Sequence, residues 1–180
     1  RLPMQVTPRL ISDVLRHPRW GMKLLRHGGP QLVNIARSLG ESPQLVKQAT
    51  MLSRAMDVTL QWNDLAWIRR HWSGPVLVKG IQTHEDAVLA QQHGADGIVL
   101  SNHGGRQLGS AAAPMDVLPS VRKAVGNSLH VYIDGGIRRG ADAIKAVARG
   151  ADGVLLGRAP LYGLAAGGAS VESSFAYAPN

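Results

Sequence analysis

The chain has 180 residues, of which 44% are hydrophobic and 18% charged, as expected for one globular domain or a large piece of one. The absence of cysteine excludes a disulfide framework, a thiolate metal site and a cysteine nucleophile. No apolar run approaches the roughly 18 residues that span a bilayer, and no basic-then-apolar leader follows Arg1, so we expect neither a transmembrane helix nor a signal peptide.

The formal charge of +8 is concentrated near the start of the chain. Residues 1–40 hold seven basic side chains and one acidic side chain. Such a segment favours an anionic surface, for example lipid headgroups or nucleic acid, or it is simply a solvated basic face.

The first 42 residues predict irregular structure with two short helices and no strand. Thr7 is a good cap for a helix that stops at His17-Pro18. A second helix is predicted over 20–26. We therefore expect this basic segment to be distinct from the rest of the chain.

From residue 43 to residue 168 the pattern is a regular alternation of helices and strands, and residues 169–180 predict an irregular tail. Helices are predicted over 43–56, 63–72, 83–94, 114–125, 140–149 and 160–166. Strands are predicted over 58–61, 75–78, 96–100, 129–133 and 153–156. Alternating strands and helices predict an α/β fold.

The strands read as continuous apolar runs, which is typical of a parallel sheet covered on both faces. The sequence Gly-Ala-Asp-Gly occurs at both 94–97 and 150–153, which indicates a repeated βα architecture. Unusual polar residues follow the strands, where TIM (β/α)₈ barrels build their active sites. A barrel has eight βα units and this pattern supplies about four of them. We therefore expect the C-terminal half of a barrel whose first half is missing.

The loop from Ser101 to Leu108 carries the strongest chemical signal. It places His103 and Arg106 three residues apart beside two glycines. A histidine titrates near neutral pH and can accept a proton, and a guanidinium can hold a carboxylate by two parallel hydrogen bonds. The pattern predicts a base next to an anchor for an acidic substrate.

A second group of glycines and cations follows the last two predicted strands. The group comprises Asp134, Gly135, Gly136, Arg138, Gly157 and Arg158. Loops at this place in a barrel bind phosphate through backbone N–H groups. Lys79 is predicted to follow an earlier strand and to stabilise negative charge on a cofactor.

The other histidines show no spacing typical of metal ligands, and we expect no metal site. The four tryptophans are expected to be packing residues rather than a stacking platform, so no nucleic-acid partner is expected.

Together these motifs resemble the FMN-dependent 2-hydroxy-acid dehydrogenases and oxidases, a family that includes lactate and mandelate dehydrogenases, glycolate oxidase and flavocytochrome b2. The matching stretches are 75–80, 101–108, 134–139 and 156–158, and the resemblance extends from about Thr7 to Gly167. It implies FMN as the cofactor and oxidation of a lactate-like or mandelate-like L-2-hydroxy acid to the 2-oxo acid. Transfer as a hydride and transfer through a carbanion both remain open.

The resemblance also implies a role for each matching residue. Lys79 would contact the flavin and stabilise its reduced form, and Ser101 would lie at the flavin site. His103 would be the base and Arg106 the substrate's carboxylate anchor. The residues implied to hold the ribityl chain and phosphate are Asp134, Gly135, Gly136, Arg138, Gly157 and Arg158.

Two departures qualify the resemblance. Gly109 stands where the family normally has an aspartate after Arg-Gln-Leu. The family's first four strands, which carry an aspartate paired with the catalytic histidine and further substrate and flavin contacts, are absent. The chain alone is therefore expected to bind FMN poorly and to turn over slowly or not at all.

In the mandelate dehydrogenase branch, the region that matches residues 1–40 mediates peripheral membrane attachment. The resemblance thus implies a cytoplasmic protein at the inner face of the membrane, with a quinone or other electron acceptor, and a homo-oligomer at full length. Two alternatives remain: another phosphate-binding TIM-barrel enzyme, and a non-catalytic fragment that binds a membrane or a partner chain.

Overall fold

The computed structural model describes residues 7–27 and 56–167, together with the single residues 33 and 54. The chain divides into two compact units, residues 1–60 and residues 61–180. The tail at 169–180 lies outside the described residues, and the predicted helix at 43–56 lies almost entirely outside them.

The first unit contains the two short helices that the sequence predicts, α1 (Pro8–Arg16) and α2 (Pro18–His27). The turn between them is tight, since the Gly21 amide donates to the His17 carbonyl at 3.0 Å. Gly21 is buried, and a Cβ on it would lie 2.9 Å from Cγ1 of Val14. A glycine is therefore needed where the two helices approach each other.

The second unit is a four-stranded parallel sheet joined by helices. In chain order its elements are α3 (Asp64–His71), β1 (Leu77–Ile81), α4 (His84–Gln92), β2 (Gly97–Leu100), α5 (Pro114–Val125), β3 (His130–Asp134), α6 (Gly140–Ala148), β4 (Gly153–Leu155) and α7 (Arg158–Gly167). The strands stand in the order β1-β2-β3-β4, without the reversal of a doubly wound sheet. The predicted α/β fold is confirmed, and the sequential order is that of part of a TIM barrel.

The core lies between one face of the sheet and the helices. On β2 and β3, Ile98, Leu100, Val131 and Ile133 are fully buried and pack in one cluster with residues of α4, α5 and α6. The next residues along the strands point to the opposite face, and Leu77 and Leu155 are exposed there. The expectation that both faces of the sheet are covered therefore does not hold for β1 and β4 in the described part of the chain.

A clasp of arginine and aspartate closes the amino-terminal edge of the sheet between β1 and β2. The Asp96 carboxylate accepts from the Val76 amide at 2.7 Å and pairs with Arg69 of α3. The same guanidinium donates through Nε to the Gly94 carbonyl at 2.9 Å. One arginine therefore fixes the corner that leads into β2.

The second Gly-Ala-Asp-Gly corner repeats this clasp between β3 and β4. Asp152 accepts from the Val131 amide at 2.7 Å and from Nη2 of Arg122 at 2.7 Å. Arg122 of α5 also donates through Nε to the Gly150 carbonyl at 2.6 Å. The sequence repeat is thus a repeat of contacts, and it holds the edge opposite the strands' carboxyl ends.

Three sequence predictions about local structure are wrong. Residues 58–61 form no strand, because the Asp57 carboxylate accepts from the amide and hydroxyl of Thr59 and so fixes a local turn. Asn63 precedes α3 but has helical backbone angles and makes no side-chain cap. Lys79 lies within β1, opposite Val99, because β1 begins at Leu77 and ends at Ile81.

The second clasp predicts an acid-sensitive contribution to stability. Burial disfavours the charged form of Asp152, but the hydrogen bonds from Val131 and Arg122 prevail and lower the pKa of Asp152 below its ordinary value. A lowered carboxyl pKa stabilises the fold above the unfolded pKa of about 4, and this contribution is lost as pH falls through the lower folded pKa. Because the Asp152 side chain is 41% exposed and solvent screens its ion pair, Asp152→Asn should reduce the free energy of unfolding at pH 7 by at most about 1 kcal/mol, or roughly 2–4 °C in Tm.

The difference from the unsubstituted chain should shrink as pH falls below about 4 and should vanish once pH is below the lowered folded pKa of Asp152, where both chains carry a neutral group. Thermal unfolding followed by circular dichroism across pH measures this. Asp116→Asn, at an exposed site without a described side-chain hydrogen bond, is the matched control. An equal loss of stability in both variants would contradict the assignment.

Candidate active site

The carboxyl ends of the four strands surround a cavity of about 850 Å³. Each strand or the loop after it contributes to the wall: Lys79 from β1, His103 after β2, Asp134 from β3 and Leu155 from β4. A second cavity of about 340 Å³ shares Lys79 and His103 and is also lined by Ser101 and Asn102. Parallel strands bring these chemically different groups to one edge of the sheet.

The Lys79 ammonium lies at the centre of the polar network. It donates to the Ser101 hydroxyl at 2.6 Å and forms an ion pair with the Asp134 carboxylate. Ser101 is buried, whereas the Lys79 side chain remains 47% exposed and the Asp134 side chain 19% exposed. One cation therefore joins β1 to the ends of β2 and β3 and still faces both cavities.

His103 lies in a left-handed turn. Its φ is 56°, and those of Gly104 and Gly105 are 67° and 71°. Among the described residues, His103 is the one non-glycine residue with positive φ. Its amide donates to the Ser101 hydroxyl at 3.1 Å, so the oxygen that accepts from Lys79 also holds the histidine backbone.

Arg158 connects the turn to the loop after β4. Its Nη2 donates to the Gly104 carbonyl at 3.2 Å. A Cβ on Gly104 would lie 2.7 Å from this Nη2, which the flexible Arg158 side chain could relieve by moving, so it is the positive φ that favours glycine here. The residue expected to bind phosphate therefore also contacts the loop that carries the histidine.

The turn after β3 is open towards the large cavity. Gly135 and Gly136 have φ of 89° and 80° and line the cavity together with Arg138. The Oδ1 atom of Asp134 is buried and has no hydrogen-bond partner among the described residues. A buried carboxylate oxygen without a donor favours a ligand with hydroxyl groups, and exposed glycine amides beside two arginines suit a phosphate.

The structure brings most of the sequence-predicted site residues to one place. Those that line the large cavity are Lys79, His103, Asp134, Gly135, Gly136, Arg138, Gly157 and Arg158. Ser101 lines the smaller cavity instead. Arg106 is exposed and lines neither cavity. Gly109 is exposed, and a Cβ there would meet nothing within 4 Å, so the aspartate usual at this position would fit without a clash.

Sequence reasoning missed two parts of the site. An apolar wall after β4 includes Leu156, Leu161 and Tyr162. Asn102 accepts from the Gly105 amide through its side chain. The sequence does contain a signal for Asn102, since asparagine readily hydrogen-bonds the backbone of a following turn.

Comparisons with a family model and with single proteins point to the same kind of protein over almost the whole chain. The family of FMN-dependent dehydrogenases matches residues 1–175. The chain is 47% identical over 168 residues to (S)-mandelate dehydrogenase of Pseudomonas putida, covering 93% of this chain and 42% of that protein. It is 44% identical over 167 residues to L-lactate dehydrogenase of Vibrio parahaemolyticus, covering 92% of this chain and 44% of that protein.

Solved structures agree with these relatives. The crystal structure of the monotopic membrane protein (S)-mandelate dehydrogenase matches with a TM-score of 0.87 at 45% identity, over 98% of this chain and 46% of that chain. A mandelate oxidase variant with a monooxide FMN adduct matches with a TM-score of 0.62 at 43% identity, over 65% of this chain and 38% of that chain. The chain thus spans less than half the length of these proteins.

The network predicts that removing the Lys79 charge destabilises the fold. Lys79→Met leaves the largely buried Asp134 carboxylate without its cation, and we expect a loss of about 1 kcal/mol at pH 7, at the low end of such effects because Lys79 is half exposed. Chemical unfolding monitored by fluorescence measures it. Lys123→Met, at an exposed position on α5, should change stability little; equal stability of the two variants would argue against the ion pair.

Proposed function

Since the chain belongs to the family of FMN-dependent dehydrogenases, we propose that it provides the carboxyl-terminal half of an enzyme that oxidises a small L-2-hydroxy acid to the 2-oxo acid. The observation that carries the proposal is the shared cavity. His103 and Lys79 line it together with the Asp134–Arg138 turn and Arg158. A base and a cation beside a turn suited to phosphate are what a flavin-dependent oxidation of an acid requires.

The residues around the large cavity fit FMN. The ribityl hydroxyls would satisfy the orphaned Oδ1 of Asp134, and the glycine turn with Arg138 and Arg158 would hold the phosphate. FMN supplies the two-electron acceptor of the reaction. Lys79, held by Ser101 and Asp134, would stabilise the negative charge that accompanies reduction.

His103 would act as the base. The substrate loses the hydrogen on C2 and the hydroxyl proton, the carbon–oxygen bond becomes a carbonyl, and two electrons leave the substrate. One proton would be taken up by the imidazole of His103, which lines both cavities, and the second hydrogen and the two electrons would pass to FMN. The transfer of the C2 hydrogen as a hydride or as a proton is left open.

Arg106 would anchor the substrate carboxylate by two parallel hydrogen bonds. It ends the turn that carries His103, with φ of −91° and ψ of −19° at the position after Gly105. Because its side chain is exposed and lines neither cavity, this role requires the guanidinium to turn inward when an acid binds.

A second proposal concerns residues 7–27. In the described part of α1 and α2, Ile11 and Leu15 are 51% and 75% exposed, and Met22 is 63% exposed. The exposed Arg16 and Arg19 lie close to them in sequence. Apolar side chains beside arginines are typical of a helix at an anionic membrane surface. Among the described residues no helix is long and apolar enough to cross a bilayer.

A membrane location would suit a quinone or another membrane electron acceptor, and this acceptor is part of the proposal.

The rival functions predict different behaviour. Another phosphate-binding barrel would bind FMN or a nucleotide without reduction by hydroxy acids. A non-catalytic fragment would bind vesicles without binding flavin.

Because the chain alone is expected to bind FMN poorly, the oxidation proposal is tested on the chain joined to the amino-terminal part that its relatives contain and loaded with FMN. All turnover measurements use this completed protein. Under anaerobic conditions, L-lactate or L-mandelate should bleach the flavin absorbance. His103→Gln should retain the bound flavin and slow bleaching by at least roughly 100-fold, the order expected for loss of a general base. His84→Gln, on the exposed start of α4, is the matched control. Bleaching by His103→Gln at the unsubstituted rate would exclude His103 as the base.

The membrane proposal is tested with vesicles containing phosphatidylglycerol and with vesicles of phosphatidylcholine alone. Binding should favour the anionic vesicles and weaken with salt. Leu15→Glu should reduce affinity by roughly 10-fold or more, because burial of a leucine contributes about 1.5–3 kcal/mol. Ile144→Glu changes a similarly exposed residue of α6 and serves as control. Equal binding of both variants would contradict a role for α1.

A further inference from the structure

The Asn102 side chain makes two hydrogen bonds within its own loop and lies near the turn after β3. Its Oδ1 accepts from the Gly105 amide at 3.1 Å, and its backbone carbonyl accepts from the same amide at 3.0 Å. Its Nδ2 donates to the Ala112 carbonyl at 3.2 Å. Its Oδ1 also lies 3.5 Å from where a Cβ on Gly135 would be. One amide group therefore ties the turn to the far end of its own loop.

These contacts oppose a local conformational preference. A left-handed residue other than glycine costs about 1–2 kcal/mol, and His103 adopts φ of 56°. Gly104 and Gly105 accept their positive φ values easily but are equally free to leave them. The turn therefore needs contacts that favour the left-handed conformation over the extended one.

Four side-chain hydrogen bonds and one backbone hydrogen bond provide this restraint, and Asn102 supplies two of the four through its side chain. Ser101 accepts from the His103 amide before the turn, and Arg158 donates to Gly104 within it. Asn102 closes the turn at Gly105 and holds the loop at Ala112. Without the Asn102 side chain the exit of the turn has a single backbone bond.

We propose that Asn102 is a positioning residue for His103: its side chain holds the left-handed turn that places His103 at the cavity and ties this turn to the far end of the same loop. The proposal rests on the proposed function and assigns Asn102 no contact with the reacting atoms. Asn102 acts only through the place of His103.

Two substitutions separate its contacts. Asn102→Ala removes both side-chain hydrogen bonds. Asn102→Asp keeps an oxygen for the Gly105 amide but loses the donor to Ala112. Asn127→Ala is the matched control, because Asn127 is exposed in the turn before β3, at the opposite edge of the sheet.

In the completed, FMN-loaded protein, Asn102→Ala should lower kcat for hydroxy-acid oxidation by roughly 10- to 100-fold, the effect of a small misplacement of a catalytic group. KM should rise by less than kcat falls, since the substrate's binding groups remain. Asn102→Asp should recover part of kcat. The Asn127→Ala variant should match the unsubstituted chain.

Nuclear magnetic resonance supplies a readout independent of turnover. Asn102→Ala should speed hydrogen exchange at the Gly105 amide and shift the His103 imidazole signals, while the amides of β2 keep their protection. The proposal fails if kcat, Gly105 exchange and the His103 signals all stay unchanged in Asn102→Ala. It fails equally if β2 loses protection and Asn102→Asp recovers nothing, which would indicate a general folding role.

If the unsubstituted, completed protein oxidises no hydroxy acid, the proposed function fails, whereas Gly105 exchange and the His103 signals still decide whether Asn102 holds the turn.

Discussion

The ammonium group of Lys79 is the interaction on which the arrangement of the site depends. It reaches the end of β2 through Ser101 and the end of β3 through Asp134. Ser101 in turn accepts from the amide of His103, so the cation, the carboxylate and the histidine backbone are parts of one network. Because the network joins three neighbouring strands, the site's geometry follows directly from the pairing of the sheet.

The two edges of the sheet do different work. At the amino ends, the Arg69 and Arg122 guanidinium groups each bind a Gly-Ala-Asp-Gly corner. Their hydrogen bonds there go to carbonyl and carboxylate groups of this chain. At the carboxyl ends, the buried Oδ1 of Asp134 has no hydrogen-bond partner among the described residues. The polar groups of the amino edge are thus paired within the protein, whereas the carboxyl edge keeps a group available for a ligand, as in complete barrels.

Much of this architecture could be predicted from the sequence, because it depends on local patterns. Apolar runs predicted three of the four strands to within one residue at each end and the fourth to within three. Polar residues after the strands indicated the edge where the site lies. The contact of Arg158 with Gly104 spans 54 positions of sequence and has no local signature. The strand predicted at 58–61 is absent for the opposite reason, because here a local contact decides the structure. The amide and hydroxyl of Thr59 hydrogen-bond to the Asp57 carboxylate and fix a turn in place of a strand.

The left-handed conformation of His103 restricts what evolution can place at this position. Asparagine, aspartate and glycine tolerate positive φ, whereas β-branched residues are strongly disfavoured there. A change from histidine to asparagine would abolish the proposed base and leave the turn, the ion pair of Lys79 and the core as they are. Catalysis in this fold can therefore be lost in one substitution without loss of structure, which makes the position a natural route to pseudoenzymes.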